Sequence, residues 1–169
     1  MISLYALAIG YVVWSVRTRT NLDGYDNYLA AWSPHLVSHF PTTIEKVRKS
    51  ATAVSYFPGY LQAGAHLQLR MRVSKDIALR EKSAYSKRAI HVINDASATT
   101  DAEITNPPPE PLDYLVSPDV PERFPDHYTS YYLLAKPGTT DEFPWNHGQM
   151  AGVSISVDPP ELVYWAEVW

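Results

Sequence analysis

The chain has 169 residues, no cysteine, and eighteen acids against fourteen bases, a formal net charge of −4. That length holds one domain, with or without an appendage, and it buries a core without help from disulfides or metal. The lack of cysteine excludes disulfide frameworks, thiolate zinc, iron–sulfur clusters and thiol catalysis, and 46% hydrophobic against 19% charged residues excludes a charge-rich disordered chain.

The first sixteen residues, MISLYALAIGYVVWSV, carry no charged side chain, and Arg17 and Arg19 follow directly. As a helix this run would span roughly 24 Å, against roughly 30 Å for a hydrocarbon core. Arginine stems that snorkel to the interface narrow the gap. The composition therefore predicts an apolar membrane-anchor helix over 1–20, built on Leu4, Leu7, Ile9, Val12, Val13 and Trp14 and closed by Arg17 and Arg19. Its partner would be membrane lipid. A cleaved leader fits less well, because no basic stretch precedes the run and VWSVRTRT is a poor cleavage site. A buried element of the globule is the competing assignment. The expected location is a single-pass membrane protein, with the side of the domain left open, since charges upstream of Met1 would reverse the positive-inside argument.

Residues 21–169 read as one α+β domain. The stretch 21–50 divides into short helical pieces. Asp23 or Asp26 would cap the first, Ser33 and Pro34 form an N-cap and first-turn pair, and Thr42 with Glu45 has capping-box spacing. TAVSYF at 52–57 is β-branched and aromatic, and Pro58 with Gly59 then forces a turn. From His66 the alternation is strict: Leu67, Leu69, Met71 and Val73 against His66, Gln68, Arg70 and Arg72. Such a period predicts a half-buried strand over 64–73 with one wet face. Ser74 caps a helix expected over 75–87, with Asp76 in its first turn and Lys87 and Arg88 at its end, as the helix dipole prefers. A short strand over 89–93 follows.

The segment 94–126 is Pro-rich, with a possible edge strand at 114–116, and its length suggests a lid, a binding loop or a wrapping segment. Strands are expected again at 128–135, 152–157 and 162–169, the last two as a hairpin over a four-residue loop, Asp158 to Glu161. The fold class is thus α+β: a mainly antiparallel sheet of about five strands with one principal helix, preceded by the apolar N-terminal helix.

Charge is unevenly placed. Residues 45–88 carry ten bases and three acids, whereas 94–126 carry eight acids and one base. The acidic loop is expected to fold back over the basic segment, an arrangement favoured over a lipid-binding basic face. No nucleic-acid motif accompanies the bases, so nucleic acid is not an expected partner.

Candidate chemistry is sparse. His35 and His39 have the four-residue spacing of helical metal ligands, but Leu36 stands where a zinc protease carries its Glu base, so no metal and no other cofactor is expected. Gly152, Ser154 and Ser156 fall short of a nucleophile elbow, and Ser154 and Ser156 read as solvent-facing strand residues. Asp126, His127 and His147 are the candidate catalytic groups, and Trp145, Asn146 and His147 the candidate ligand-binding group. Twelve Tyr and five Trp place aromatics on both faces of the sheet, so something must cover the second face: the 94–126 loop, a protein partner or a ligand. The functional expectation is a membrane-tethered binding or assembly module without catalysis. The alternative is a small hydrolase or metal-dependent enzyme using the His and Asp candidates.

Overall fold

The computed structural model describes residues 17–59, 64–94, 107–117, 120–138, 145 and 147–169. Short helices come first: a 3-10 turn at Leu22–Gly24, then α1 (Tyr25–Ala30), α2 (Pro34–Val37) and α3 (Ile44–Val47). The principal helix, α4 (Lys75–Ser86), stands between the strands β1 (Ala51–Phe57) and β2 (Ala65–Arg72) and the strand β3 (His91–Ile93). Two-residue strands β4 (Leu112–Asp113) and β5 (Glu122–Arg123) precede the long meander of β6 (Tyr128–Lys136), β7 (Gln149–Val157) and β8 (Pro160–Val168).

The main sheet has six antiparallel strands in the order β1-β2-β8-β7-β6-β3, and β4 and β5 pair separately. The class is α+β as expected, with one strand more than anticipated. The β7–β8 ladder runs to Val157 opposite Pro160, so the hairpin loop is Asp158 and Pro159 alone. Residues 114–116 form a turn after β4 and not a strand.

Each strand splits its side chains between two faces. On the first face, Val54, Tyr56, Leu67, Leu69, Tyr131, Val153, Ile155, Leu162, Tyr164 and Ala166 form one buried cluster with Tyr25, Leu36, Phe40, Ile44, Ala78 and Tyr85 of the helical layer. Helix ends in this layer are tied by specific acceptors. Ser74 Oγ accepts from Ile77 N at 3.3 Å, as its position before α4 predicts. Asp26 Oδ1 accepts from Ile44 N at 2.7 Å, so α3 is capped from α1 and not by its own Thr42 or Thr43.

The second face holds a smaller cluster of Phe124, Tyr128, Tyr132, Met150, Val163 and Trp165, with Leu115 and Trp145 packed on it. The wet face expected for β2 is covered over most of its length: His66 is 4% exposed, Gln68 is fully buried and Arg70 partly buried, while Arg72 is exposed as expected. Ser154 and Ser156, expected to face solvent, are also fully buried. The cover is the described part of the Pro-rich segment, residues 107–117 and 120–125, hereafter the strap. Gln68 clamps it, its Nε2 donating to Leu112 O and its Oε1 accepting from Tyr114 N at 3.0 Å. Arg70 Nη2 meets Asp113 Oδ2 at 2.5 Å, joining the basic and acidic segments, and Tyr132 Oη donates to Pro109 O at 2.7 Å.

The membrane expectation is corrected. Among the described residues no helix is long and apolar enough to cross a bilayer. The longest, α4, would span about 18 Å at 1.5 Å per residue, well below the roughly 30 Å of a hydrocarbon core. Leu4, Leu7, Ile9, Val12, Val13 and Trp14 lie outside the described residues. Arg19, assigned to close the anchor, instead belongs to the globule. Its N–H donates to Tyr56 O at 2.8 Å and its carbonyl accepts from Tyr56 N at 2.9 Å, extending the outer edge of β1. The single-pass assignment is withdrawn.

Candidate functional site

His66 and Glu167 are cross-strand partners on β2 and β8, so their side chains leave the same face of the sheet. Both fall where the strap ends its contact with that face. There Phe57, Gly64, Ala65, His66, Tyr114, Glu167 and Trp169 line a cleft of about 470 Å³, with Arg17 also at its wall. Gly64 is dictated by a close approach: a Cβ there would stand 2.5 Å from the carbonyl oxygen of Val168. Glycine lets the start of β2 press against the end of β8 and leaves the cleft open beside them.

Glu167 is 2% exposed. Its Oε1 accepts from Leu112 N at 3.3 Å, and its Oε2 is buried with no hydrogen-bond partner among the described residues. Burial pushes its pKa up to about 8, against the smaller opposing pull of the Leu112 N–H. At neutral pH the group is a carboxylic acid. With Oε1 taken by a backbone donor, the proton belongs on Oε2, where none of the described residues accepts it.

His66 has the opposite character. Its Nε2 lies 2.9 Å from Ser55 Oγ, and its ring stacks on Tyr114 with centroids 3.7 Å apart at 15°. Burial lowers its pKa to about 4, so the imidazole is neutral at physiological pH. Burial also raises the phenol of Tyr114, with the nearby Glu167 adding to it. The cleft is therefore aromatic on its sides and holds one acid.

Ser55, His66 and Glu167 share a face without forming a catalytic triad. Such a triad needs its acid on the imidazole and its serine open to substrate. Here Glu167 makes no hydrogen bond to His66, and Ser55 is fully buried. A second cavity of about 380 Å³ beside the outer edge of β1 is lined by Thr20, Leu22, Thr52, Val54 and Leu115, with no acid or base among its lining residues.

The candidates read from sequence lie apart. His35 Nδ1 is 2.9 Å from Ser33 Oγ and its Nε2 3.3 Å from Gln149 Oε1. His39 Nε2 donates to Gly152 O at 2.9 Å, and burial lowers its pKa to about 4, so both of these histidines serve local contacts. Asp126 and His127 precede Tyr128, which pairs with Ser156 at one end of β7, whereas His147 precedes Gln149 at the other. Seven residues of strand separate these ends by roughly 23 Å. His147 adopts a positive φ of 62°, and Trp145 packs onto the second-face cluster, while Asn146 lies outside the described residues. Among the described residues no three His, Asp or Glu side chains are grouped to hold a metal ion. The aromatic sheet face considered for a partner is buried, Tyr128, Tyr132 and Trp165 beneath the strap and Tyr131 and Tyr164 beneath the helices.

Sequence reasoning missed Glu167. Its signal was present: in LVYWAEVW it alternates with Val163 and Trp165, so the only acid inside that strand run was due to face inward. Comparison with known proteins gives no match to a family model, to a curated protein or to a solved structure.

Proposed function

We propose that this chain is a small-ligand-binding domain and that its site is the cleft between the ends of β2 and β8 and the strap. The observation that carries this is Glu167: a buried acid among the residues that line a cavity, with one oxygen that has no partner among the described residues. A buried carboxyl with an unmet hydrogen bond costs about 1–3 kcal/mol, and the structural task of accepting from Leu112 N–H needs only a neutral acceptor. A ligand that enters the cleft would repay that cost. The volume falls in the range of small-molecule sites, which are concave, largely apolar and furnished with few polar groups. Binding without chemistry fits the surroundings, since among the described residues that line the cavity there is no nucleophile with a base.

The test is a survey of small amines, acids, sugars and amides by two-dimensional NMR on the full chain. Binding at the cleft is expected to move the amide signals of Gly64, Ala65, His66 and Val168 together. Hits that move scattered surface amides and leave these four still would overturn the proposal.

A further inference from the structure

We infer that the cleft takes a primary alkylammonium group, with Glu167 as its acceptor and counter-charge and the rings of Phe57, Tyr114 and Trp169 beside its carbon chain. This rests on the cleft being a ligand site and names the class of ligand.

The argument starts from what Glu167 lacks. Its Oε1 is engaged by Leu112 N–H, and Oε2 has neither donor nor acceptor among the described residues. A ligand carboxylate could accept the proton of the neutral acid, but it would bring its own negative charge against the faces of the aromatic walls. A metal ion would need further ligands, and among the described residues no such group exists. A sugar hydroxyl would supply a hydrogen bond but no charge. An ammonium supplies both, and a charge-assisted hydrogen bond is about twice as strong as a neutral one. The aromatic walls agree, because rings attract cations to their faces and repel anions, while Arg17 at the wall opposes a second positive charge.

The proposal predicts a proton linkage. Ammonium binding needs the carboxylate, whereas burial keeps Glu167 protonated up to about pH 8. Binding therefore expels one proton, and affinity rises with pH until the acid is already ionised. The neighbouring groups do not mask this. His66 on β2 is neutral down to about pH 4, burial raises Tyr114 of the strap and Tyr132 of β6 well above their ordinary range, and Arg17 adds a guanidinium to the cleft wall. Glu110 of the strap is the other acid that acts on Tyr132 beside Glu167.

The experiment compares n-butylammonium with its neutral counterpart n-butanol by NMR titration of the full chain, at pH values from about 6 to 8. An alkylammonium, like the lysine side chain with its pKa of about 10.4, stays charged over that range. The expected result is a nearly tenfold gain in butylammonium affinity per pH unit at the acid end, levelling near pH 8, and a flat profile for butanol. Glu167→Gln is expected to lose at least tenfold for butylammonium, to lose the pH slope and to keep butanol binding, which also shows that the variant folds. Equal binding of butanol and butylammonium at the cleft overturns the ammonium assignment and leaves the cleft standing. A butanol affinity that falls as pH rises, with no gain for butylammonium, overturns it in favour of an acceptor ligand on the protonated acid. Absence of any shift at Gly64, Ala65, His66 and Val168 with butylammonium overturns it outright, and the wider ligand survey then judges the cleft alone.

Discussion

The two faces of the sheet are buried by different means. The helical face is closed by aliphatic and aromatic packing in one contiguous cluster, with side-chain hydrogen bonds at helix caps and at Tyr25, His35 and His39. The strap face is closed by an irregular segment, which brings backbone N–H and C=O groups that need partners. The sheet supplies them from side chains: Gln68 to Leu112 and Tyr114, Glu167 to Leu112, Tyr132 to Pro109. A helix satisfies its own backbone and can be laid on an apolar face, whereas a strap cannot. The polar residues of β2 are thus the counterpart of the missing helix, and the cleft lies where that cover stops.

The sharpest way to break the comparison is to remove Trp165. Its ring lies against Gly152, where a Cβ would meet ring carbon Cζ2 at 2.5 Å, and its Nε1 donates to Ser154 Oγ at 3.1 Å. If the strap face is a true core, Trp165→Ala costs about 3–5 kcal/mol, as for a large aromatic in any packed interior, and Leu69→Ala on the helical face costs about 2–5 kcal/mol. Urea unfolding of both variants measures this. A cost for Trp165→Ala below about 1 kcal/mol would mean that the strap merely drapes over a sheet stabilised from its other side.

Next in size is the pH dependence, which should come from the strap face in opposite senses. The folded pKa of His66 is lowered, so the unfolded chain takes up its proton first. Stability is complete above about 6.5 and falls as pH drops towards 4, by roughly 3 kcal/mol. His39, between the helical layer and the sheet, shifts in the same direction. The folded pKa of Glu167 is raised, so its contribution is complete below about 4.5 and is lost as pH rises towards 8. By about pH 7 that loss is of the order of 3 kcal/mol. Glu167→Gln keeps the acceptor for Leu112 N–H and removes the titration. Its unfolding free energy is expected to exceed that of the natural chain at pH 8 and to converge with it near pH 5. Parallel curves for the two proteins across that interval would show that Glu167 is not desolvated in solution. A substitution that stabilises the fold while abolishing ligand binding is the usual mark of a site kept at the expense of stability.

The comparison also explains what the sequence made legible. Residues whose local pattern determines their structure were readable: the alternation from Leu67 to Val73, the Ser74 cap, and the hairpin of β7 and β8. Alternation reports which residues share a face, but not what lies on that face. His66, Gln68 and Arg70 look the same whether water or a strap satisfies them, so the wet-face assignment failed there. The need for a second cover did follow from aromatics on both faces. That the cover is the Pro-rich segment, held through Leu112 and Tyr114, depends on contacts over forty residues apart, which no local period encodes. The candidate site was hidden for the same reason, since His66, Tyr114 and Glu167 meet only through the sheet order and the strap. The apolar run before Arg17 illustrates the converse: composition proposed an anchor, and the pairing of Arg19 with Tyr56 was beyond its reach.

The smallest effect is the most local one, and it separates latch from lid. Asp113 is 1% exposed, its Oδ2 on Arg70 and its Oδ1 accepting from Leu115 N at 3.0 Å. Asp113→Asn keeps the acceptor for Leu115 and removes the charge from Arg70, whose Nε still has Glu161 Oε2 at 3.7 Å. Because a second carboxylate remains, the loss should stay near the lower end of the range for a charged hydrogen bond, about 1.5 kcal/mol. It should fall on the strap alone. Amide hydrogen exchange at Tyr114 and Leu115 is expected to quicken about tenfold, while the amides of α4 and of Leu69 keep their protection. If exchange quickens equally on both faces, the strap unfolds only with the whole domain, and a ligand must enter the cleft as it stands. If the strap opens by itself, access to Glu167 is controlled by the Arg70–Asp113 pair, and Asp113→Asn should speed ligand entry and exit together while leaving affinity nearly unchanged.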